Sequence, residues 1–245
     1  MILARGITKS FQPGFLERTL WKKPAKDVLR GFDFEAHPGQ ITGLLGPNGA
    51  GKTTFFRCLT GLERVDRGQL LINGVDPGQH PEQVCSQISL LPEEPGVEPH
   101  VSGRYHLELF GTMTGLPLTR VRQRLKEADA HLDLFSFWER PFRTYSRGMK
   151  ARIALARMRL NDQAQVLIFD EPSNGLDFEI TARLHHYIRS MAQEGRTVLI
   201  SSHVLNDLRV LCDRLVGLHQ GVAASPEQIQ AWMKAHEAFQ ATGAA

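Results

Sequence analysis

Short apolar runs alternate along this chain with longer stretches in which apolar residues recur every three or four positions. The short runs are typical of buried strands, and the longer stretches are typical of amphipathic helices. Their alternation predicts an α/β fold with a largely parallel sheet. The predicted strands are Ile2–Ser10, Val28–Ala36, Ile41–Leu45, Gln69–Ile72, Ile88–Leu91, Val166–Asp170, Thr197–Ser201 and Arg214–His219. The predicted helices are Gly51–Thr60, Ser102–Thr114, Leu118–Leu132, Ser146–Leu160, Phe178–Glu194, Val204–Cys212 and a last one that begins near Ser225.

The first two predicted strands differ from the others, because no helical pattern separates them. Residues 32–35 alternate apolar and acidic side chains, which is the period of a strand with one solvated face. The connection 11–27 contains Pro13, Gly14 and Pro24 together with three lysines, and we interpret it as a long hairpin connection. Its apolar and basic residues suit contact with a partner or a membrane surface, or packing on its own domain.

The composition excludes several classes of protein. Hydrophobic residues make up 42% of the 245 positions and charged residues 22%, so extensive disorder is not expected. No apolar run approaches the ~18–20 residues that span a bilayer, and residues 1–10 lack the pattern of a secretory signal. The three cysteines lie far apart, which argues against a disulfide framework or a zinc site and suits a reducing cytoplasm. The net charge of +3 is too small to demand a nucleic-acid partner.

The clearest chemical signal is a glycine-rich turn between the predicted strand 41–45 and the helix after it. Residues 46–53 match the phosphate-loop pattern G-x-x-x-x-G-K-[ST]. Glycines let the backbone approach a phosphate closely, and successive N–H groups and the helix N-terminus then face the anion. Lys52 adds a point charge at the last two phosphates, and Thr53 offers its hydroxyl to Mg²⁺. The residues expected to hold a nucleotide here are Gly46, Pro47, Asn48, Gly49, Ala50, Gly51, Lys52, Thr53 and Thr54.

Two carboxylates follow the apolar run 166–169. A buried strand of a parallel sheet delivers its last residues to the carboxyl edge, where a phosphate loop also lies. We therefore expect Asp170 to hold Mg²⁺ and Glu171 to orient or polarise the attacking water. Without the phosphate loop upstream, the same pair would be read as a solvated turn.

With these two motifs in place, the chain resembles the ATP-binding subunit of an ABC transporter over about residues 1–222. The motifs follow the order of that family: Walker A at 46–53, a Q-loop region at 91–93, a signature-like stretch at 145–149, Walker B at 166–171, a D-loop-like stretch at 172–177 and a switch histidine at His203. The resemblance implies a P-loop NTPase core with a mostly parallel sheet, an N-terminal antiparallel β subdomain and an inserted helical subdomain. It also implies ATP and Mg²⁺ as cofactors and ATP hydrolysis as the activity.

The resemblance assigns roles beyond the two motifs. It places His203 against the γ-phosphate, beside Lys52 and Glu171 as catalytic residues, although a lone histidine at a strand end is often structural. It suggests that an aromatic residue of the first hairpin stacks on adenine. Phe11 is the candidate, with Phe15 and Trp21 as rivals and core packing as a third interpretation.

Two motifs depart from the family pattern. The signature is usually Leu-Ser-Gly-Gly-Gln. Ser146 and Gly148, which the resemblance assigns to nucleotide contact, are kept, whereas Arg147 and Met149 replace a glycine and the glutamine. Arg147 either adds positive charge near the nucleotide or is a surface arginine. At the Q-loop, Glu93 replaces a glutamine; a carboxylate can still ligate Mg²⁺ or accept a hydrogen bond, but it cannot donate one as an amide does.

The resemblance also predicts the domain organisation and the partners. Residues 1–93 and 161–224 would form the β subdomain and P-loop core, residues 94–160 the helical subdomain, and residues 225–245 a C-terminal helix and tail. The signature would complete the site of a second nucleotide-binding subunit in a head-to-tail dimer. Since no membrane span is predicted, separate integral membrane permease subunits would form the pathway. The chain would then lie peripherally on the cytoplasmic side of the membrane.

A soluble ABC ATPase that acts on nucleic acid or ribosomes is the alternative. Chromosome-type members carry a long coiled coil between their motifs, and ribosome-type members usually carry two cassettes in one chain. Neither feature is found in these 245 residues, so transport is favoured and no nucleic acid is expected as a partner. Glu93, within residues 91–94, makes this stretch similar to that of subunits of exporters with separate permeases, which favours export over import.

Overall fold

The computed structural model describes residues 1–12, 25–93, 96–202 and 205–241 of the chain. Its strands are β1 Ile2–Phe11, β2 Lys26–Ala36, β3 Ile41–Leu45, β4 Arg67–Ile72, β5 Ile88–Leu91, β6 Val166–Asp170, β7 Thr197–Ser202, β8 Arg214–His219 and β9 Val222–Ala223. Its α-helices are α1 Lys52–Leu59, α2 Pro81–Gln87, α3 Gly103–Met113, α4 Leu118–Leu132, α5 Arg147–Met158, α6 Phe178–Gln193, α7 Leu205–Leu211 and α8 Pro226–Ala241. The pattern of hydrophobic positions did not predict α2 and β9, because each is too short to show a period.

The residues divide into two compact units. The first comprises Met1–His37, Thr42–Cys85 and Ser201–Ala245, and the second comprises Pro38–Ile41 and Ser86–Ile200. Within the described ranges, no helix combines the length and the apolar character that a membrane crossing requires.

The first unit contains an antiparallel sheet in the order β2-β1-β4. Its central strand places Ile2 between Ala36 and Ile72, and all three side chains are fully buried. Helix α1 packs on this sheet through Phe55, whose ring centroid lies 5.2 Å from that of Phe32 and 5.1 Å from that of Phe34. Edge-on aromatic contacts of this kind add to the stabilisation from area burial. The helix that begins at the phosphate loop is thereby fixed to the sheet.

The first unit also contains a parallel pair, β3 and β8, in which Gly43 lies opposite Leu215 and Leu45 opposite Gly217. Strand β8 continues into β9 through a tight turn at Gln220 and Gly221, which both have positive φ. All five side chains of β3 are buried, as the continuous apolar run predicts for a strand covered on both faces.

In the second unit, β6 lies between β5 and β7. Strands β5 and β6 are parallel, with Leu91 opposite Phe169, and residues 166–169 are fully buried. The carboxyl ends of both strands therefore lie side by side. Leu91 is followed directly by the Q-loop region, and Asp170 ends β6, so the two segments meet at the same edge of the sheet.

Helices α3, α4 and α5 form the helical part of the second unit around Leu107, Val121, Leu125 and Ile153, which are fully buried. Ser102 caps α3 by accepting a hydrogen bond from the Tyr105 amide at 3.2 Å. This region lies inside residues 94–160, where the sequence predicts a helical subdomain.

Candidate functional site

The phosphate loop lies in the first unit, between β3 and α1. It starts at Gly46, which is buried: a Cβ there would lie 2.4 Å from the carbonyl oxygen of Leu218. Only glycine permits this approach of the loop to β8. The next three residues, Pro47, Asn48 and Gly49, are exposed, so the crest of the loop faces solvent.

The loop turns into the helix through two glycines in the left-handed region. Gly49 has φ 79° and Gly51, the N-cap of α1, has φ 115°. No side chain caps α1, and its first turn contains no acidic residue. The positive end of the helix dipole and its N–H groups are therefore presented to an anion, as a phosphate site requires.

Lys52 is the first residue of α1 and only 7% exposed. Its Nζ curls over the loop and donates a hydrogen bond to the Gly46 carbonyl oxygen at 2.6 Å. The Lys52 ammonium is therefore held against the loop that is expected to bind phosphate. Thr53 and Thr54 follow Lys52 in the first turn of α1; Thr53 is exposed and Thr54 is half-buried.

A contact that the sequence analysis missed supports this loop from behind. The Gly221 amide in the β8–β9 turn donates to the Ala50 carbonyl at 3.2 Å, and the Gly221 carbonyl accepts from the Arg30 amide at 2.7 Å. The turn therefore connects the phosphate loop to β2. A glycine two residues after a strand was the available signal, but the strand β9 that follows is too short to be predicted.

The acidic strand end lies in the second unit. Asp170 is half-buried, and Glu171 is 9% exposed with φ 51°. A left-handed backbone at a residue other than glycine costs about 1–3 kcal/mol, and such residues cluster at functional sites. The turn continues with hydrogen bonds from the Asn174 amide to the Glu171 carbonyl and from the Leu176 amide to the Ser173 carbonyl, both at 3.1 Å.

A cavity of about 460 Å³ opens beside this turn. It brings together Glu93, Asp170 and Glu171, so three carboxylates from the Q-loop region and the end of β6 share one space. Two of the three predicted metal ligands, Glu93 and Asp170, line this cavity, while Thr53 belongs to the first unit. The cavity is lined by Leu91, Pro92, Glu93, Phe142, Arg147, Lys150, Ala151, Ala154, Asp170, Glu171, Pro172, Asn174 and Leu176.

The signature-like stretch begins α5. Ser146 is exposed and caps the helix, because its Oγ accepts a hydrogen bond from the Met149 amide at 3.2 Å. Gly148 is buried, and a Cβ there would lie 2.3 Å from Cδ1 of Ile180. In this chain, therefore, the glycine lets α5 and α6 approach each other, in addition to the nucleotide contact that the resemblance assigns to it.

Arg147 and Glu93, two of the three residues that depart from the family pattern, line the cavity. Arg147 is exposed and lines it, and Lys150, one turn further along α5, lines it too and was not singled out by the sequence analysis. Glu93 is exposed, and its Oε1 accepts a hydrogen bond from Nδ2 of Asn174 at 3.1 Å. Both interpretations of Arg147, a positive charge near the nucleotide and a surface arginine, stay predictions.

Phe11 and His203 are the remaining candidates. Phe11 ends β1 and is 37% exposed, with Nζ of Lys9 5.2 Å from its ring centroid. The rivals Phe15 and Trp21 fall outside the described residues, as does His203.

Known proteins are similar to this chain in sequence and in fold. The sequence model described as ABC transporter matches residues 29–174. The chain is 29% identical over 201 residues to "ABC transporter ATP-binding protein NatA" of Bacillus subtilis, covering 82% of this chain and 81% of that one. It is 34% identical to "Nod factor export ATP-binding protein I" of Ralstonia nicotianae and 36% identical to "Daunorubicin resistance ATP-binding protein DrrA2" of Streptomyces coeruleorubidus. These matches cover 79% and 82% of this chain but only 60% and 62% of the two relatives.

Solved structures confirm the predicted fold class. "Structure of ATP binding subunit of ABC transporter" superposes with a TM-score of 0.79 at 24% identity, over 96% of this chain and 93% of that one. "Dimeric Structure of MJ0796, a Bacterial ABC Transporter Cassette" superposes equally well at 20% identity, over 92% of this chain and 97% of that one.

Proposed function

Because this chain belongs to the ABC transporter family, a family of ATPases, we propose that it powers transport of a substrate across a membrane through separate transmembrane subunits. The observation that carries the proposal is the built phosphate loop: Gly46 is packed against β8, Gly49 and Gly51 are left-handed, and Lys52 is held over the loop. A solvated glycine-rich turn would need none of these features.

The phosphate loop would bind the triphosphate of ATP. Its exposed crest and the uncapped N-terminus of α1 supply N–H donors, and Lys52 supplies the cation. The side-chain oxygens of Thr53, Asp170 and Glu93 would hold Mg²⁺, which when bound would offset the charge of the phosphates. Phe11 would stack on the adenine with the ring face that Lys9 does not cover.

Glu171 would act as the general base. Its carboxylate is nearly buried beside the cavity, and its strained backbone fixes the direction in which the side chain leaves β6. A carboxylate so placed can accept the proton of the attacking water. We assign His203 to the γ-phosphate on the family resemblance alone.

A second copy would complete each nucleotide site. Ser146 is exposed at the N-terminus of α5, so its hydroxyl and the helix end can face a phosphate of a partner subunit. The cassette MJ0796 is described as a dimer. We propose a head-to-tail dimer that closes on ATP and opens after hydrolysis, bound to membrane permease subunits on the cytoplasmic side.

We further propose that the direction of transport is export. Glu93 at the Q-loop supports this, and so do relatives whose names refer to export of Nod factor and to resistance to daunorubicin. Because the chain covers only about 60% of those two relatives, their substrates are not carried over.

The test is Glu171→Gln, with Glu179→Gln as its matched control. Glu179 is an exposed glutamate at the start of α6, paired with Arg183 at 2.8 Å. We expect Glu171→Gln to lower ATP turnover by about 10²–10⁴-fold, the usual contribution of a general base, and Glu179→Gln to leave it unchanged. ATP affinity should survive because the phosphate loop is untouched.

Size-exclusion chromatography with Mg-ATP completes the test. The Glu171→Gln variant should elute as a dimer with bound ATP, and adding Ser146→Arg should abolish that dimer by placing bulk and charge in the facing site. Turnover at the wild-type rate would refute the assignment of Glu171. Loss of turnover without an ATP-dependent dimer would refute the shared site. Purification of the native complex without an integral membrane protein would refute transport.

A further inference from the structure

Two side chains from separate elements contact the same turn, the one formed by residues 171–177 after β6. On one side, Nδ2 of Asn174 donates to Oε1 of Glu93 at 3.1 Å. On the other side, the guanidinium of Arg147 lies over Gly175, where a Cβ would come within 2.6 Å of its Nη1 and 3.5 Å of its Cδ. Adjacent residues of the turn are thus contacted from the Q-loop region after β5 and from α5.

The contact with Arg147 depends on the glycine. Gly175 has φ 70°, and any side chain there would occupy the space that the guanidinium fills. The arginine therefore packs directly on the backbone of the turn. The contact with Glu93 is of a different kind, since it fixes the side-chain amide of Asn174 by a hydrogen bond.

The turn begins at Glu171. The Glu171 carbonyl accepts a hydrogen bond from the Asn174 amide at 3.1 Å, and the Ser173 carbonyl accepts one from the Leu176 amide at 3.1 Å. Glu171 itself is held at φ 51°, a conformation that persists only where the surroundings enforce it. A displacement of residues 174–175 would therefore be transmitted through one hydrogen-bonded turn to the backbone that aims the Glu171 carboxylate.

We propose that Glu93 and Arg147 are positioning residues that clamp the 171–177 turn from two sides and thereby hold Glu171 in its working direction. The inference rests on the proposed function, in which Glu171 activates water. It gives Glu93 and Arg147, two of the three residues that depart from the family pattern, one shared role. The clamp works through geometry: Glu93 serves as an acceptor for Asn174, and Arg147 as a flat group packed on Gly175.

The first measurement is hydrogen–deuterium exchange of the backbone amides of Glu171 and residues 173–177, which requires no enzymatic activity; Pro172 has no amide hydrogen. Glu93→Ala and Arg147→Ala should each raise exchange in this segment, because each removes one side of the clamp. Glu98→Ala and Arg143→Ala are the matched controls, since both residues are exposed and neither lines the cavity. The controls should leave exchange in the segment unchanged.

The second measurement is steady-state ATP hydrolysis. Each alanine variant of the clamp should lower kcat by about 10–100-fold, because misplacing a catalytic group by ~1 Å can cost about 10²-fold. In Arg147→Ala, KM for ATP should stay within about twofold, since the lost contact with Gly175 is not one of nucleotide binding. Glu93→Gln, which keeps an acceptor oxygen, should recover most of the lost kcat. Arg147→Lys keeps the charge but loses the flat guanidinium, so it should recover little of the lost kcat.

The double variant Glu93→Ala with Arg147→Ala separates a clamp from two independent effects. If both residues hold the same turn, kcat of the double variant should be no lower than kcat of the worse single variant. If the two residues act independently, the two losses of kcat should multiply. Provided that the wild-type protein hydrolyses ATP, two results would overturn the inference: a loss of kcat in the double variant equal to the product of the two single losses, or unchanged exchange at 171–177 in the single variants. Neither result would count against the proposed function. A wild-type protein without ATP turnover would instead refute the proposed function, and the exchange data would still decide whether the clamp exists.

Discussion

Gly221 and Gly195 offer a matched pair that tests the support of the phosphate loop by the β8–β9 turn. Both glycines have left-handed backbones, with φ 83° and 88°. A Cβ at Gly195 would meet no atom within 4 Å, whereas a Cβ at Gly221 would lie 2.4 Å from the Val28 carbonyl oxygen and 3.0 Å from the Val28 carbonyl carbon. Substitution by alanine therefore imposes the same backbone cost at both sites and a steric collision at only one.

The expected magnitudes follow from these distances. Gly195→Ala should lower the free energy of unfolding by about 1–2 kcal/mol, the cost of a left-handed L-residue. Gly221→Ala adds the overpacking cost of forcing one backbone segment away from another, about 1–3 kcal/mol. The total loss at Gly221 should then be about 2–5 kcal/mol. Urea unfolding followed by circular dichroism measures both values.

The same pair separates stability from function. The Gly221 amide donates to Ala50 in the phosphate loop, so displacing the turn should also weaken ATP binding, measured by calorimetric titration under native conditions. Gly195→Ala should bind ATP as the wild type does. Equal losses of stability in the two variants would refute the steric argument. Unchanged ATP affinity in folded Gly221→Ala would refute the proposed support of the loop.

Two other predictions concern the second unit. Tyr187 is fully buried, and its hydroxyl finds no hydrogen-bond partner in the described part of the chain, so Tyr187→Phe should keep or raise the free energy of unfolding. Tyr145→Phe is the contrast, because the Tyr145 hydroxyl donates a hydrogen bond to the Trp138 carbonyl at 3.0 Å. Loss of that hydrogen bond should lower the free energy of unfolding by about 1–2 kcal/mol. A larger decrease in Tyr187→Phe than in Tyr145→Phe would contradict this prediction. Burial, with a smaller contribution from Arg157, lowers the pKa of His106 to about 4 from an ordinary 6.5, so the native state resists its protonation. Stability should therefore fall as the pH drops from 6.5 toward 4, by about 1 kcal/mol after allowance for partial exposure, and His106→Gln should flatten this part of the pH profile of unfolding.

Much of the site was predictable because its motifs are local. The phosphate loop needs only a buried strand, glycines at set positions and a helix start, and all three are encoded in residues 41–60. The structure places them as the motif requires, with Gly49 and Gly51 left-handed and Lys52 over the loop. The carboxylates at 170–171 were predictable for the same reason, since an apolar run followed by acidic residues defines a strand end.

The sequence by itself thus determined the α/β class, the phosphate loop and the acidic strand end, because each depends on backbone preferences of contiguous residues. Only the tertiary structure decided which loops meet. Glu93 and Asn174 are 81 positions apart, yet they are hydrogen-bonded, because β5 and β6 are neighbours and end at the same edge. Gly148 is buried because Ile180 of another helix fills the space beside it. Such contacts depend on strand order and helix packing, which the period of hydrophobic positions does not specify. The same packing brings Arg147 and Glu93 to one turn beside Glu171.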